Sequence, residues 1–401
     1  MRLDNPLWRR RASNLAILSL ATAINRTAPP LTVLAGGLVG LALAPSPVWA
    51  TLPVALVVVG MGSTSYPAAA IMHRIGRRWG FVLATLFSVV ASLCAAGSII
   101  VQSFVGFCVA MVAIGANQAF VHQYRFAAAE NVSAHGVSHA VSLMLLSSLV
   151  SAWAGPELGQ SAKDSIEGAP FAGAFVGMAG LSLIAAVLLW FYREDAMDEV
   201  RHEGTERPVQ QIVSQPKYIL ACAAAGLSYA VMSLIMTAAP ISMHAHQGHS
   251  LNATTFAIQS HIMAMYLPSL VTGTLIRRFG VYRIMVLGVT IMGSCIVVAA
   301  WHQGTVNYWV ALVLLGVGWN CLFTAGSTLI TETYRPCERF KAQGVNDMLV
   351  FGVMAIVSLG AGVMLELAGW AALAISTTPL LLVVLILIVY VQHKNHYQPS
   401  A

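Results

Sequence analysis

Of 401 residues, 58% are hydrophobic and only 9% are charged, whereas soluble domains carry about a quarter of their residues as Asp, Glu, Lys or Arg. That excludes a water-soluble globular protein, and the net charge of +6 reads as membrane topology rather than as nucleic-acid binding. A bilayer core about 30 Å thick needs about 20 apolar residues per helix, so a chain of this length accommodates about 12 crossings.

Span 1 (14–43) follows Arg9, Arg10 and Arg11 and carries Asn25 and Arg26 just before Pro29 and Pro30, which loosen the helix. A guanidinium in mid-span is costly in lipid, so Arg26 is expected to face an interior cavity and to meet a carboxylate, a carbonyl or an anionic solute. The apolar character runs on to Leu43, past the small residues Ala21, Thr22 and Ala23, so no cleaved leader is read here. Spans 2 (48–72) and 3 (80–102) are joined by His73-Arg74-Ile75-Gly76-Arg77-Arg78-Trp79-Gly80. Span 4 (104–128) has a polar face, with Gln118, His122 and Arg125 at i, i+4 and i+7 beside Asn117, Gln123 and Tyr124, and Glu130 just beyond it. Span 5 (138–160) ends in Gly155-Pro156-Glu157-Leu158-Gly159, and span 6 is 169–192.

Residues 193–217 carry charges of both signs with Pro208 and Pro216, and read as a linker between two six-helix sets, 1–192 and 218–401. Span 7 (218–243) contains Tyr229 and Met232, span 8 (252–276) contains His261, and span 9 is 281–301. Span 10 (308–332) contains Trp319, Asn320 and Thr324 and ends at Glu332; span 11 (343–366) opens with Asp347, and span 12 is 370–391. His244, His246 and His249 lie between spans 7 and 8 without an adjacent carboxylate or thiol, and read as a solvated loop rather than a metal site. All six cysteines fall in spans or in an inner loop, so no disulfide framework is read.

Numbered this way, Arg and Lys gather in the inner loops, and the outer loops hold only Lys163. The positive-inside rule then places both termini in the cytoplasm of a bacterial inner membrane. The halves echo one another. Arg74-Ile75-Gly76 returns 204 residues later as Arg278-Phe279-Gly280, Gly115-Ala116-Asn117 returns 203 later as Gly318-Trp319-Asn320, and Gly136-Val137-Ser138-His139 returns 208 later as Gly344-Val345-Asn346-Asp347.

The segment "AAAIMHRIGRRWG" resembles the loop 2–3 signature of the major facilitator superfamily, Gly-x-x-x-Asp-Arg-x-Gly-Arg-Arg, and "GTLIRRFGVYR" resembles its second-half copy. The resemblance implies an all-α membrane fold of two pseudo-symmetric six-helix bundles working by alternating access. The copy departs from the family: Ala69 and His73 stand where Gly and Asp are usual, and Arg277 replaces the second acid. In the family that acid latches the inner gate against a helix N-terminus. Here the gate is expected to use His73, Arg74, Arg77, Arg78, Glu130, Arg278, Arg283, Glu332 and Asp347. Glu130 would pair with Arg77 or Arg78, Glu332 with Arg278 or Arg283, and Asp347 would reach Arg74.

The resemblance further implies that helices 1, 4, 7 and 10 line the cavity. That places Asn25, Arg26, Asn117, Gln118, His122, Arg125, Tyr229, Met232, Trp319, Asn320 and Thr324 there, with Trp319 able to stack on a flat ring. A proton carrier needs a desolvated carboxylate or a histidine; Glu157, His122, His261 and Asp347 are the candidates. The Gly155-Pro156-x-x-Gly159 element resembles part of a motif associated with antiporters, whereas Tyr124 to Ala129 and Gly318 to Asn320 resemble segments of riboflavin and siderophore permeases.

No Gly-x-x-x-x-Gly-Lys-Ser/Thr loop is present, so transport powered by this chain's own ATP hydrolysis is not read. The function read is proton-coupled secondary transport of a small organic solute by a monomer in the lipid bilayer, not an enzyme, with no cofactor and no metal. Efflux stands ahead of the alternative, import of an anionic or aromatic nutrient such as a vitamin or siderophore; a non-transporting sensor is the other class.

Overall fold

The computed structural model describes residues 6–124, 127–128, 137–193, 207–335 and 338–397. Among them there are helices and turns and no strand, as expected where lipid offers no partner for an unpaired backbone group. The chain divides into two compact units, 1–198 and 199–401.

In the first unit the helices are α1 (Pro6–Asn25), α2 (Ala28–Leu43), α3 (Leu52–Ile75), α4 (Arg77–Ile100), α5 (Phe104–His122), α6 (Val137–Ser161) and α7 (Ala172–Trp190). The sequence-read span 1 is α1 plus α2, interrupted at Arg26 and Thr27. The cause is local. Pro29 has no N–H to give the carbonyl four residues back, and that carbonyl, of Asn25, accepts instead from Gln118 Nε2 at 3.1 Å. Helix α3 packs on α5, and α4 on α7. The α3–α5 approach is backbone to backbone: a methyl group on Gly115 would lie 2.0 Å from the Val57 carbonyl oxygen, and one on Gly60 2.1 Å from that of Val112.

The second unit comprises α8 (Val209–Val213), α9 (Pro216–Pro240) with a π-helical turn over Ile241–His246, α10 (Leu251–Tyr266), α11 (Ser269–Phe279), α12 (Val281–Trp301), α13 (Thr305–Ile330), α14 (Arg339–Ile375) and α15 (Thr378–Tyr397). Helix α10 packs on α13, α12 on α15 and α9 on α14, the same pairing order as α3 with α5, α4 with α7 and α1 with α6. Two sequence-read spans are redrawn in this unit. Span 8 breaks at Leu267–Pro268, and α14 runs past the expected end of span 11 until Gly369, at φ 77° and ψ 174°, interrupts it. That backbone region is essentially reserved for glycine. A further turn at Ser376–Thr377 precedes Pro379.

Among the described residues, nine helical stretches are long and apolar enough to cross a membrane by length and composition. One of them, Lys341–Lys394, contains the Gly369 interruption and so accounts for two of the sequence-read crossings. The 193–217 linker is also redrawn: from Arg207 onward it is bound to the second unit through Glu338 and Thr333.

Candidate functional site

The break between α1 and α2 exposes backbone and polar side chains inside the first unit, and α5 supplies the groups that meet them. Asn117 Nδ2 donates to Asn25 Oδ1 at 3.5 Å, and Asn25 Nδ2 donates to the Tyr124 hydroxyl at 3.4 Å. That hydroxyl also lies 3.4 Å from Thr85 Oγ1. Arg26 Nη2 lies 3.4 Å from His122 Nδ1. Because a guanidinium only donates, Nδ1 must be the acceptor in this pair. Asn25, Asn117 and Gln118 are buried and Arg26 is half-buried. No carboxylate among the described residues pairs with Arg26, and its Nε is buried without a hydrogen-bond partner, as is Asn117 Oδ1.

The sequence therefore placed Asn25, Arg26, Asn117, Gln118 and His122 in a group that the structure does bring together. Tyr124, on the polar face read for span 4 but not assigned to the cavity, joins the group through Asn25, and Thr85 went unread. Arg125 and Glu130, with the pairing expected of Glu130, lie outside the described residues.

Helix α6 is what holds the break close. A methyl on Gly155 would lie 2.6 Å from the Thr27 carbonyl oxygen and 2.7 Å from Pro30 Cγ, and one on Gly159 would lie 3.0 Å from Leu31 Cδ1. The Gly-Pro element of span 5 is thus a seat for the broken helix. Glu157 within it is exposed on the surface of the unit.

In the second unit, Trp319 and Phe323 stack one turn apart on α13, at 4.8 Å with an interplanar angle of 9°. Tyr229 of α9 meets both edge-on, at 4.9 and 5.3 Å, and Tyr266 of α10 lies 6.5 Å from Trp319. Met232 is buried and Thr324 half-buried. Asn320 does not join this group. Its Nδ2 donates to the Met265 carbonyl at 2.8 Å and to Ser269 Oγ at 2.5 Å, and its Oδ1 accepts from Thr272 Oγ1 at 2.7 Å. Adjacent residues on a helix point about 100° apart, so Trp319 and Asn320 cannot share a face; Asn320 ties the α10–α11 break.

His261 is fully buried, and its Nδ1 donates to the Leu312 carbonyl at 2.7 Å. The loop histidines are also bound within the protein: His244 Nδ1 to the His249 carbonyl at 2.8 Å, and His249 Nε2 to the Gln303 carbonyl at 2.9 Å. His246 Nε2 stands 3.9 Å from Glu366 Oε2.

At the basic end of the first unit, Arg78 Nη2 donates to the Trp190 carbonyl at 2.6 Å. Its guanidinium lies over the Trp79 and Trp190 rings at 5.5 and 5.6 Å. Arg77 Nη1 reaches the Gln123 carbonyl at 3.5 Å, and Arg74 is exposed. The His73 side chain lies outside what is described. Arg278 and Arg283 are exposed, and Glu332 pairs with Lys217 at 3.4 Å rather than with either of them. The lysine at the start of α9 lies beside the end of α13, a proximity that loop numbering does not show. Asp347 is half-buried and accepts from Asn346 Nδ2 at 3.1 Å.

The shortest ion pair among the described residues was not read from the sequence. Glu338, with a fully buried side chain, accepts from Arg207 Nε at 2.8 Å and Nη2 at 2.6 Å. The backbone N–H groups of Arg207 and Arg335 add bonds at 2.9 Å each. The Arg207 fork, ahead of the backbone donors, holds the Glu338 carboxyl far below the usual carboxylate range.

The family model of the Major Facilitator Superfamily matches residues 15–230 and 221–401. The chain is 37% identical over 375 residues to the riboflavin transporter RfnT of Brucella anthropi, covering 93% of this chain and 94% of that one. It is 28% identical over 352 residues to the uncharacterised transporter YdeG of Bacillus subtilis, covering 84% and 82%. In fold it is similar to a bacterial homologue of the human lysosomal transporter Spinster, with a TM-score of 0.75, 13% identity and coverage of 97% and 99%. Two repeated helical units, the paired signature loops and the family match agree: the chain is a multi-pass membrane transporter of the Major Facilitator Superfamily.

Proposed function

We propose that this chain takes up a riboflavin-like vitamin through the cytoplasmic membrane, with both termini in the cytoplasm and protons as the coupling ion. The observation that carries the substrate is the 37% identity to a riboflavin transporter along nearly the full length of both chains. The Arg26 group supports it. Its cation has no carboxylate partner among the described residues and, with Asn117, offers a spare donor and a spare acceptor to a solute rich in carbonyl and N–H groups. Import is favoured over efflux because the element that suggested export, Gly155-Pro156, has a packing role at the α1–α2 break.

His122 is the proposed proton carrier. A proton on its Nδ1 would remove the acceptor that Arg26 uses and replace the bond with repulsion, freeing the guanidinium for the solute. The test is uptake of labelled riboflavin into proteoliposomes with an imposed pH gradient. Uptake above empty vesicles is expected, reduced at least tenfold by Arg26→Ala, and no longer stimulated by the gradient in His122→Gln. Absence of uptake removes riboflavin as the substrate; uptake indifferent to the gradient removes protons as the coupling ion.

A further inference from the structure

The aromatic group of the second unit contains a polar atom with nothing to do. Trp319 is 3% exposed, and its indole Nε1 is buried with no hydrogen-bond partner among the described residues. Buried indole N–H groups ordinarily find an acceptor, and one left unpaired keeps its full desolvation cost. The same helix supplies a contrast. Trp309, more exposed and ten positions earlier, donates its Nε1 to Ser260 Oγ at 2.9 Å. The more deeply buried of the two indoles is thus the one without a partner among the described residues.

The surroundings say what kind of group would satisfy it. Phe323 covers one ring at 4.8 Å in parallel stacking, and Tyr229 closes on the pair edge-on. Tyr266 contributes a further ring near Trp319. Asn320, the next residue along the helix, is committed to α10 and α11 on another face. The indole N–H therefore sits among aromatic walls with no competing acceptor among the described residues, an arrangement suited to a flat ring that brings an acceptor of its own.

We infer that Trp319 is a specificity-determining donor, its Nε1–H bonding to a ring nitrogen or carbonyl oxygen of a planar heteroaromatic solute that packs against the Trp319, Phe323 and Tyr229 rings. This deepens the proposed function and rests on the chain carrying a ring-containing solute, but it does not require that solute to be riboflavin.

The experiment compares the full-length wild type with Trp319→Phe, which removes the donor and keeps a ring, and Trp319→Leu, which removes both. Unfolding temperature is measured without ligand, and affinity is measured for riboflavin, lumichrome, a pterin, a purine and naphthalene, the last a flat ring with no acceptor. Trp319→Phe is expected to unfold cooperatively at or somewhat below the wild-type temperature, since removing the unpaired donor offsets only part of the buried ring volume lost. Its affinity for the acceptor-bearing rings should fall at least tenfold, naphthalene should bind the two proteins alike, and Trp319→Leu should lose both classes.

Equal binding of the acceptor-bearing rings by wild type and Trp319→Phe overturns the assignment. So does failure of every ring to bind the wild type. A pterin or purine that binds in a Trp319-dependent way while riboflavin does not would sink the riboflavin reading and leave this one standing. Riboflavin uptake that is indifferent to Trp319→Phe would do the reverse.

Discussion

At Gly76 the backbone adopts φ 83° and ψ 159°, and at Gly280, 204 residues on, φ 86° and ψ 154°. Both glycines join two helices in a region that side-chain-bearing residues avoid, so here a repeated letter marks a repeated shape. The other echo behaves differently. Gly115 lets α5 approach Val57 of α3, but Gly318, its match in the letters, approaches Met292 of α12. The residue that does the work of Gly115 is Gly316, where a methyl would lie 2.6 Å from the His261 carbonyl of α10. The sequence echo in that helix is out of step by two residues. Its asparagines accordingly have different neighbours: Asn117 turns to Asn25 of α1, and Asn320 to α10 and α11. Identity of letters at a constant offset reports equivalence where the backbone demands the residue, and much less where a helix can rotate to use a different one.

The comparison can be pressed hardest at the helix contacts. Gly115→Ala should cost about 3 kcal/mol or more, because a backbone carbonyl cannot move aside, whereas Gly318→Ala, opposed first by the Met292 side chain, should cost clearly less. Denaturant unfolding of the two variants orders them, and equal losses would restore the literal echo. Gly76→Ala and Gly280→Ala should each cost about 1–3 kcal/mol from backbone strain, and by similar amounts if the two turns are true copies. Asn320→Ala, which leaves the Met265 carbonyl without its donor, should cost about 1–3 kcal/mol. Asn117→Ala, which removes one long hydrogen bond and a spare acceptor, should be milder in stability and more damaging to uptake.

The smallest effect expected at neutral pH is in slope rather than size. Glu338 has its folded pKa lowered by Arg207, so its contribution is present above the ordinary glutamate value of about 4.3. It declines only as pH falls below that value, where the unfolded chain takes up a proton first. The difference in unfolding temperature between wild type and Glu338→Gln should be constant from pH 7 to about 4.5 and narrow below. A difference that grows on acidification would contradict the clamp.

Much of the molecule was legible in advance because hydropathy and charge act locally. Apolar length located the helical stretches, and the two signature loops announced the family. Arg26 and the α5 stripe could be read as one group because an ionisable residue in a span must face inward and helical spacing sorts its neighbours. The Arg207–Glu338 clamp was hidden for the opposite reason: the partners lie 131 positions apart, in segments whose composition suggested only linker and loop. Pro29 likewise announced a break in span 1, but not that Gln118 would supply the missing donor.

By itself, then, the amino-acid order determined the membrane class, the two-half organisation and the turns at Gly76 and Gly280, since each follows from solvent preference or backbone strain at single positions. Tertiary packing decided which asparagine is committed and which retains a free acceptor, which glycine seats which helix, and that Trp319 is left with an unpaired N–H. Those outcomes depend on how a helix is rotated against its neighbours, and rotation is fixed by the sum of many contacts rather than by any residue alone.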